Sequence, residues 1–297
     1  MLIKIVVGPS NLLALPISPG FTPEVEIQRY VFYQVAMLIE YLGIPIMGLF
    51  LLLGLLYKAR SFLREERAES ESESVEKLSE DSYVERFSLP QVFEHGVMAV
   101  STGILLITGL GMKFYHYFPW IPDLVGGLPN LWQIHKIFAL GVIAVSIYHA
   151  IWYIAVEQFP MEMLPKLDDL KQGFKEIGYA LGITDNEIRL GKYGWREKFD
   201  YWGAIIFYPI LIITGLIMWN INFSLEIMPL GVVLGAEVLH SIDAIAASAA
   251  IMLHFYHVHF NSEALPYGSQ IMDGKMSEKD AKKEHPKWFE SIKEENE

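Results

Sequence analysis

Five apolar runs, at about 31 to 56, 90 to 112, 132 to 156, 200 to 220 and 236 to 259, are each long enough to cross the ~30 Å hydrocarbon core of a bilayer as a helix. Inside lipid no water satisfies backbone N–H and C=O groups, so a spanning segment must be a helix or part of a closed barrel. These runs are too long for barrel strands and lack two-residue alternation, which leaves helices. The expected fold is therefore an all-α membrane protein: a four-helix transmembrane bundle formed by the last four runs, plus one extra N-terminal transmembrane helix. A positive mean hydropathy of +0.29 agrees with that class.

The net charge of −12 resides in soluble segments, including the Glu/Ser-rich stretch Glu65 to Glu80, which reads as a solvated linker. The chain has no cysteine, so it cannot ligate an iron–sulfur cluster, form a disulfide or attach a c-type haem covalently. Any redox centre must be held non-covalently through nitrogen. The first apolar run begins near Tyr30 and continues to Tyr57, too long for the core of a cleavable signal, so it reads as a retained span. The organisation expected is an N-terminal segment with its extra helix at 1–57, a charged cytoplasmic linker at 58–88, a four-helix domain at 89–260 and a tail at 261–297.

Orientation follows from lysine and arginine. The linker holds Lys58, Arg60, Arg64, Arg67, Lys77 and Arg86; the loop after the third span and the tail are also basic, whereas Asn222 to Gly235 has no cation. The positive-inside rule puts linker, loop and C-terminus in the cytoplasm of a prokaryote's inner membrane and leaves the N-terminus outside. The third and fifth spans then both run from outside to inside.

Each of those two spans carries histidines fourteen positions apart, His135 with His149 and His240 with His254. At about 100° and 1.5 Å per residue, such a pair shares one helix face at two depths roughly 21 Å apart. His135 and His240 thus share the outer level, and His149 and His254 the inner one. Two stacked bis-imidazole b haems would have this geometry, and ionisable side chains inside a membrane are costly enough to mark function.

An internal repeat strengthens that reading. Ile107-Thr108-Gly109-Leu110 closes the second span and Ile213-Thr214-Gly215-Leu216 lies in the fourth, each ahead of the outer histidine of the next span. The core reads as a duplicated two-helix hairpin, in which Gly103, Gly109, Gly141 and Gly215 make room for a haem or for a neighbouring helix. His95 breaks the duplication, because Tyr201 stands at its matching position. It lies at the inner level and competes with His149 as the partner of His254.

Arg86-Phe87-Ser88, Glu94-His95 and the Thr108-Gly109-Leu110 ending, together with Gly274-Lys275-Met276-Ser277-Glu278, Ala281-Lys282-Lys283 and His285-Pro286-Lys287-Trp288, resemble the gamma, or cytochrome b, subunits of membrane-bound formate dehydrogenases. The resemblance covers about residues 86 to 291. It implies two b haems carrying electrons between an extracytoplasmic partner and a quinone, with His135 and His240 at the outer haem and His95 and His254 at the inner one. His149 is then an extra histidine. The paired fourteen-residue spacing is also similar to the cytochrome b of quinol-oxidising complexes, and a third haem on His149 and His257 is a further alternative.

Other residues carry weaker signals. His257 and His259 read as interfacial, with His257 alternatively passing protons to a quinone beside the inner haem. Glu40 falls midway along the first span, where it must be neutral, paired or on a proton path. Asp243 is a candidate hydrogen-bond partner for a ligand or haem edge, while Glu94 and Glu237 read as solvated at span ends. Phe118, Trp120, Trp132, Trp152, Tyr153, Trp195, Tyr201 and Trp202 read as interface anchors. Leu164, Leu167, Leu170, Phe174 and Ile177 form an apolar stripe for a helix lying on the inner surface or against a partner. The partners expected are membrane lipid, a quinone and a companion catalytic or iron–sulfur/multihaem electron-transfer subunit, with no nucleic acid. The alternatives are a histidine-based transporter of metal or protons and a simple anchor for a soluble enzyme.

Overall fold

The computed structural model describes residues 30–39, 41–49, 51–52, 55, 82–156, 159–180, 183, 190–259 and 270–296. Among the described residues, five helices are long and apolar enough to cross a membrane: α1 (Tyr30–Leu49), α2 (Leu89–Lys113), α4 (Leu128–Ala155), α6 (Trp195–Trp219) and α8 (Leu230–His259). The chain is an all-α membrane protein. Between them lie the short helices α3 (Trp120–Leu124), α5 (Leu167–Ala180) and α7 (Ile221–Ile227), and after them α9 (Gln270–Asp273), α10 (Glu278–Glu284) and α11 (Pro286–Asn296). Glu40 and the stretch Glu65 to Glu80 lie outside the described residues, as do the side chains of Ile177, His257 and His259.

α6 and α8 begin five and six residues before the apolar runs do. The first turn of α6 is charged and hydropathy alone stops short of it, but its charges are paired: Arg86 Nη2 meets Glu197 Oε1 at 2.9 Å and Lys198 Nζ meets Asp169 Oδ1 at 2.8 Å. The early start of α8 corrects one expectation. Glu237 now lies two turns inside the helix and is 2% exposed rather than solvated, and Glu94 is buried as well. The amphipathic segment forms α5 from Leu167 onward; Leu164 precedes it, and Leu167, Leu170 and Phe174 face outward.

Two compact units share the long helices. The first contains α1, Val97–Ala150 and Ala204–Ala249. Its helices touch through small or polar groups, as helices in lipid do. A Cβ on Gly141 of α4 would meet Ser101 Oγ of α2 at 2.6 Å, and the Thr102 hydroxyl of α2 shares a 2.7 Å hydrogen bond with the Tyr208 phenol of α6. α1 packs on α8 through Ala36, Phe32 and Tyr33 against Leu234 and Leu230. Beyond Gln133, the large outward-facing side chains on α4 include Ile137, Leu140, Ile147, Ile151 and Ile154. In water such a surface would be a liability; against acyl chains it is the expected one.

The second unit contains residues 82–96, Ile151–Gly203 and the described chain from Ala250. Here strands appear that hydropathy did not announce. β1 (Tyr83–Glu85), inside the segment read as a linker, pairs antiparallel with β2 (Lys275–Ser277), placing Val84 opposite Met276. α10 and α11 fold onto this ribbon around Met276, Ala281, Trp288 and Phe289. Ser277 caps α10, its Oγ accepting from Asp280 N–H at 3.1 Å. Gly274 turns the chain at φ +76°, and its carbonyl accepts from both Arg86 N–H and Phe87 N–H. Buried Arg86 also donates to Gln270 Oε1 at 2.9 Å, so the segment ahead of α2 is tied to the tail by backbone and side chain together. His285 Nδ1 donates to the Gly191 carbonyl at 2.7 Å, fastening the tail to the segment before α6.

Two outcomes follow. Gly274→Ala forces a Cβ into the Phe87 carbonyl at a positive φ, and should lower the stability of the tail module by about 1–3 kcal/mol, read as faster proteolysis between 270 and 290 in detergent. Burial, with the Arg86 guanidinium alongside, holds His285 below its ordinary value of 6.5. The folded module therefore binds fewer protons than the unfolded chain just below that value. Its stability should be complete above about pH 6.5 and fall as the pH drops further, and His285→Gln should flatten the slope.

Candidate functional site

In the first unit, the rings of His135 on α4 and His240 on α8 face one another with centroids 6.5 Å apart and planes inclined by 62°. Each ring is fixed from behind by the helix preceding its own in the chain. Thr108 Oγ1 of α2 lies 2.7 Å from His135 Nδ1, and Thr214 Oγ1 of α6 lies 2.9 Å from His240 Nδ1. Each hydroxyl gives its single proton to a carbonyl one turn back, Ile104 O at 2.8 Å and Ile210 O at 2.6 Å. It can therefore only accept from the imidazole. That makes Nδ1 the protonated nitrogen of both rings and leaves the Nε2 lone pairs available.

The neighbouring glycines explain the rest of the repeat. A Cβ on Gly109 would stand 3.7 Å from His135 Cε1, and one on Gly215 only 3.4 Å from His240 Cε1. The threonine holds the ring and the glycine lets it lie against the helix. Gly141 instead admits Ser101, and Gly103 borders open space. Trp132, one turn before His135, stacks on it with centroids 6.3 Å apart and planes within 3°.

In the second unit, His95 near the start of α2 and His254 on α8 repeat the arrangement, with centroids 6.1 Å apart and an inclination of 52°. His254 Nδ1 is held by the Asp200 carboxylate of α6 at 2.7 Å. The start of α2 is fixed by Gln91, whose Oε1 accepts from Ser88 N–H at 3.0 Å and whose Nε2 donates to the Tyr153 hydroxyl at 2.9 Å. His149 lies half-buried on α4, in the unit that holds His135 and His240. Asp243 is buried with Oδ2 making no hydrogen bond, and neither carboxylate oxygen of Glu237 makes one among the described residues.

Both pairs fit an iron between two imidazoles. A metal–nitrogen bond of about 2 Å, plus about 1 Å from that nitrogen to the ring centre, sets two axial ligands about 6 Å apart between centroids. Among the described residues no three His, Asp or Glu side chains gather as ligands for a bare metal ion. Paired single imidazoles suit a macrocycle that supplies the other ligands itself.

The model of the family described as prokaryotic cytochrome b561 matches residues 86–265. The chain belongs to that family. It is a b-type cytochrome of a prokaryotic membrane, and the match takes in all four histidines of the two pairs. It is similar to the cytochrome b556(fdo) subunit of formate dehydrogenase from Escherichia coli, 25% identical over 210 residues, which are 70% of this chain and 92% of the relative. The corresponding subunit from Haemophilus influenzae is 25% identical over 216 residues, 71% of this chain and 84% of its own length. The nitrate-inducible cytochrome b556(Fdn) subunit from Escherichia coli is 23% identical over 199 residues, 67% and 86% of the two chains. The resemblance drawn from the Arg86 and Gly274 motifs is borne out.

Sequence reasoning missed Thr108, Thr214 and Asp200 as groups that act on the histidines. The repeat contains both threonines, but a hydroxyl inside an apolar helix gives no sequence signal of the ring it faces. Thr214→Val keeps the shape and removes the acceptor, leaving a buried imidazole N–H unsatisfied at about 1–3 kcal/mol. Membranes carrying it should bind haem about ten- to a hundredfold more weakly at the site holding His240, read as loss of b-type absorbance during dialysis against apomyoglobin, with helix content unchanged.

Proposed function

We propose that this chain is the di-haem membrane subunit of an oxidoreductase, carrying electrons across the bilayer between a partner redox subunit and the quinone pool. The observation that carries this reading is the pair of facing imidazole couples, 6.5 Å and 6.1 Å between ring centres, each including a ring on α8 whose Nδ1 is already engaged. His135 and His240 ligate the outer haem; His95 and His254 ligate the inner one. His149 stays outside both couples, and a third haem has no support from a described ring pair.

Bound haem supplies the one-electron chemistry. The chain's own part is to orient His135, His240 and His254 through their Nδ1 atoms and to let the outer rings lie against the helices at Gly109 and Gly215. The basic residues of the segment before α2, of the loop carrying α5 and of the tail put the His95 and His254 level on the cytoplasmic side. The haem-carrying region is 89–260, followed by the cytoplasmic tail. The relatives' names attach them to formate dehydrogenase, and this supports a catalytic partner subunit and a membrane quinone here. A transporter of zinc or protons finds no comparable cluster of ligands among the described residues.

The pyridine haemochrome of the purified complex tests the assignment directly. Two b haems per chain are expected, falling to one in His135→Ala or His240→Ala and to one in His95→Ala or His254→Ala. His149→Ala should keep both. Loss of a haem in His149→Ala with retention in His95→Ala would transfer the inner ligand to His149, and a preparation without haem would end the proposal.

A further inference from the structure

The two couples differ in what stands behind their imidazoles. Behind His135 and His240 are neutral hydroxyls, Thr108 and Thr214, themselves buried at 3% and 4% exposure. Behind His254 is a carboxylate, Asp200, at 2.7 Å, with its side chain 27% exposed. The difference has a physical reason. An ionised acid at the depth of Thr108 or Thr214 would bear the full cost of burial in a membrane interior. Asp200 sits in the second turn of α6, with its side chain partly open to the surroundings rather than enclosed like the two threonines.

We propose that Asp200 is a positioning residue that lowers the reduction potential of the haem ligated by His254, making it the stronger reductant of the two. This inference rests on the ligand reading above. A hydrogen bond to an anion is shorter and stronger than one to a hydroxyl, and it draws the Nδ1 proton away from the ring. The imidazole then gives more electron density through Nε2, which favours the ferric over the ferrous state. The negative charge acts in the same direction, because oxidation leaves one more positive charge on the metal centre for the carboxylate to offset. The threonines cannot do this, since each is a weak neutral acceptor whose own proton is committed to a backbone carbonyl. Hydrogen-bonding chemistry alone thus separates two sites with the same pair of axial ligands.

Potentiometric titration of the b-type absorbance in the intact complex tests this, with low-temperature spectra to distinguish the two haems. Asp200→Asn is expected to keep both haems and to raise the lower potential by a tenfold or greater change in the ferric/ferrous ratio, equal to 59 mV for one electron. The other haem should titrate as before. Asp200→Glu should restore most of the low potential, and Thr108→Val or Thr214→Val should move only the other haem. Two titration waves unchanged in Asp200→Asn, or a shift confined to the higher-potential haem, would overturn the inference.

Should Asp200→Asn lose the haem, Asp200→Thr carries the test by giving His254 the same kind of acceptor that His240 has. Retained haem at a raised potential supports the inference; retained haem at the native potential overturns it. Loss of the haem in the Asn, Thr and Glu variants alike would reduce Asp200 to a structural part and also overturn it. The ligand reading fails separately, if His254→Ala keeps both haems.

Discussion

An imidazole whose Nδ1 is hydrogen-bonded is fixed in tautomer and orientation, and the arrangement of the facing histidines depends on that constraint. Nδ1 of His135, His240 and His254 is engaged by Thr108, Thr214 and Asp200. These partners come from α2 and α6, the long helices that precede α4 and α8 in each hairpin. Every hairpin therefore contributes a ring and the group that orients it. The pairing of these helices and the tautomer of the rings are set by the same contacts. Glycines at 109 and 215 complete the arrangement, because each leaves a bare stretch of helix against which the ring lies, 3.7 Å and 3.4 Å from where a Cβ would stand.

Much of this was legible in the chain. Lipid imposes helices on long apolar runs, and five of them form where hydropathy puts them. The fourteen-residue spacing brought His135 and His240 to one level, where their rings do face each other. What hydropathy could not supply were helix starts rich in charge. Trp195 to Asp200 is a poor membrane sequence, and it becomes helical because Arg86 and Asp169 neutralise Glu197 and Lys198 from parts of the chain far away. Asp200 was hidden in that segment for the same reason. Glu237 reads as solvated from hydropathy because the apolar run starts six residues after the helix does.

The tail was legible as a motif but not as a structure. Gly274, Met276, Trp288 and His285 stood out by resemblance, whereas their task depends on a three-residue strand pair too short to leave a periodic signal. The same module uses Arg86 three ways, against Glu197, Gln270 and the Gly274 carbonyl. A buried guanidinium of this kind is costly unless paired; Gln270, Met276 and Glu197 meet its two terminal nitrogens, while Nε has no hydrogen-bond partner among the described residues.

Arg86 and Met276 touch although 190 positions separate them in the chain. The ribbon that holds Met276 and leads into Arg86 can form only once α2, α4, α6 and α8 have all been synthesised. The lead-in to α2 thus waits on the ribosome's progress beyond α8, and closure of this clasp marks a finished round of insertion.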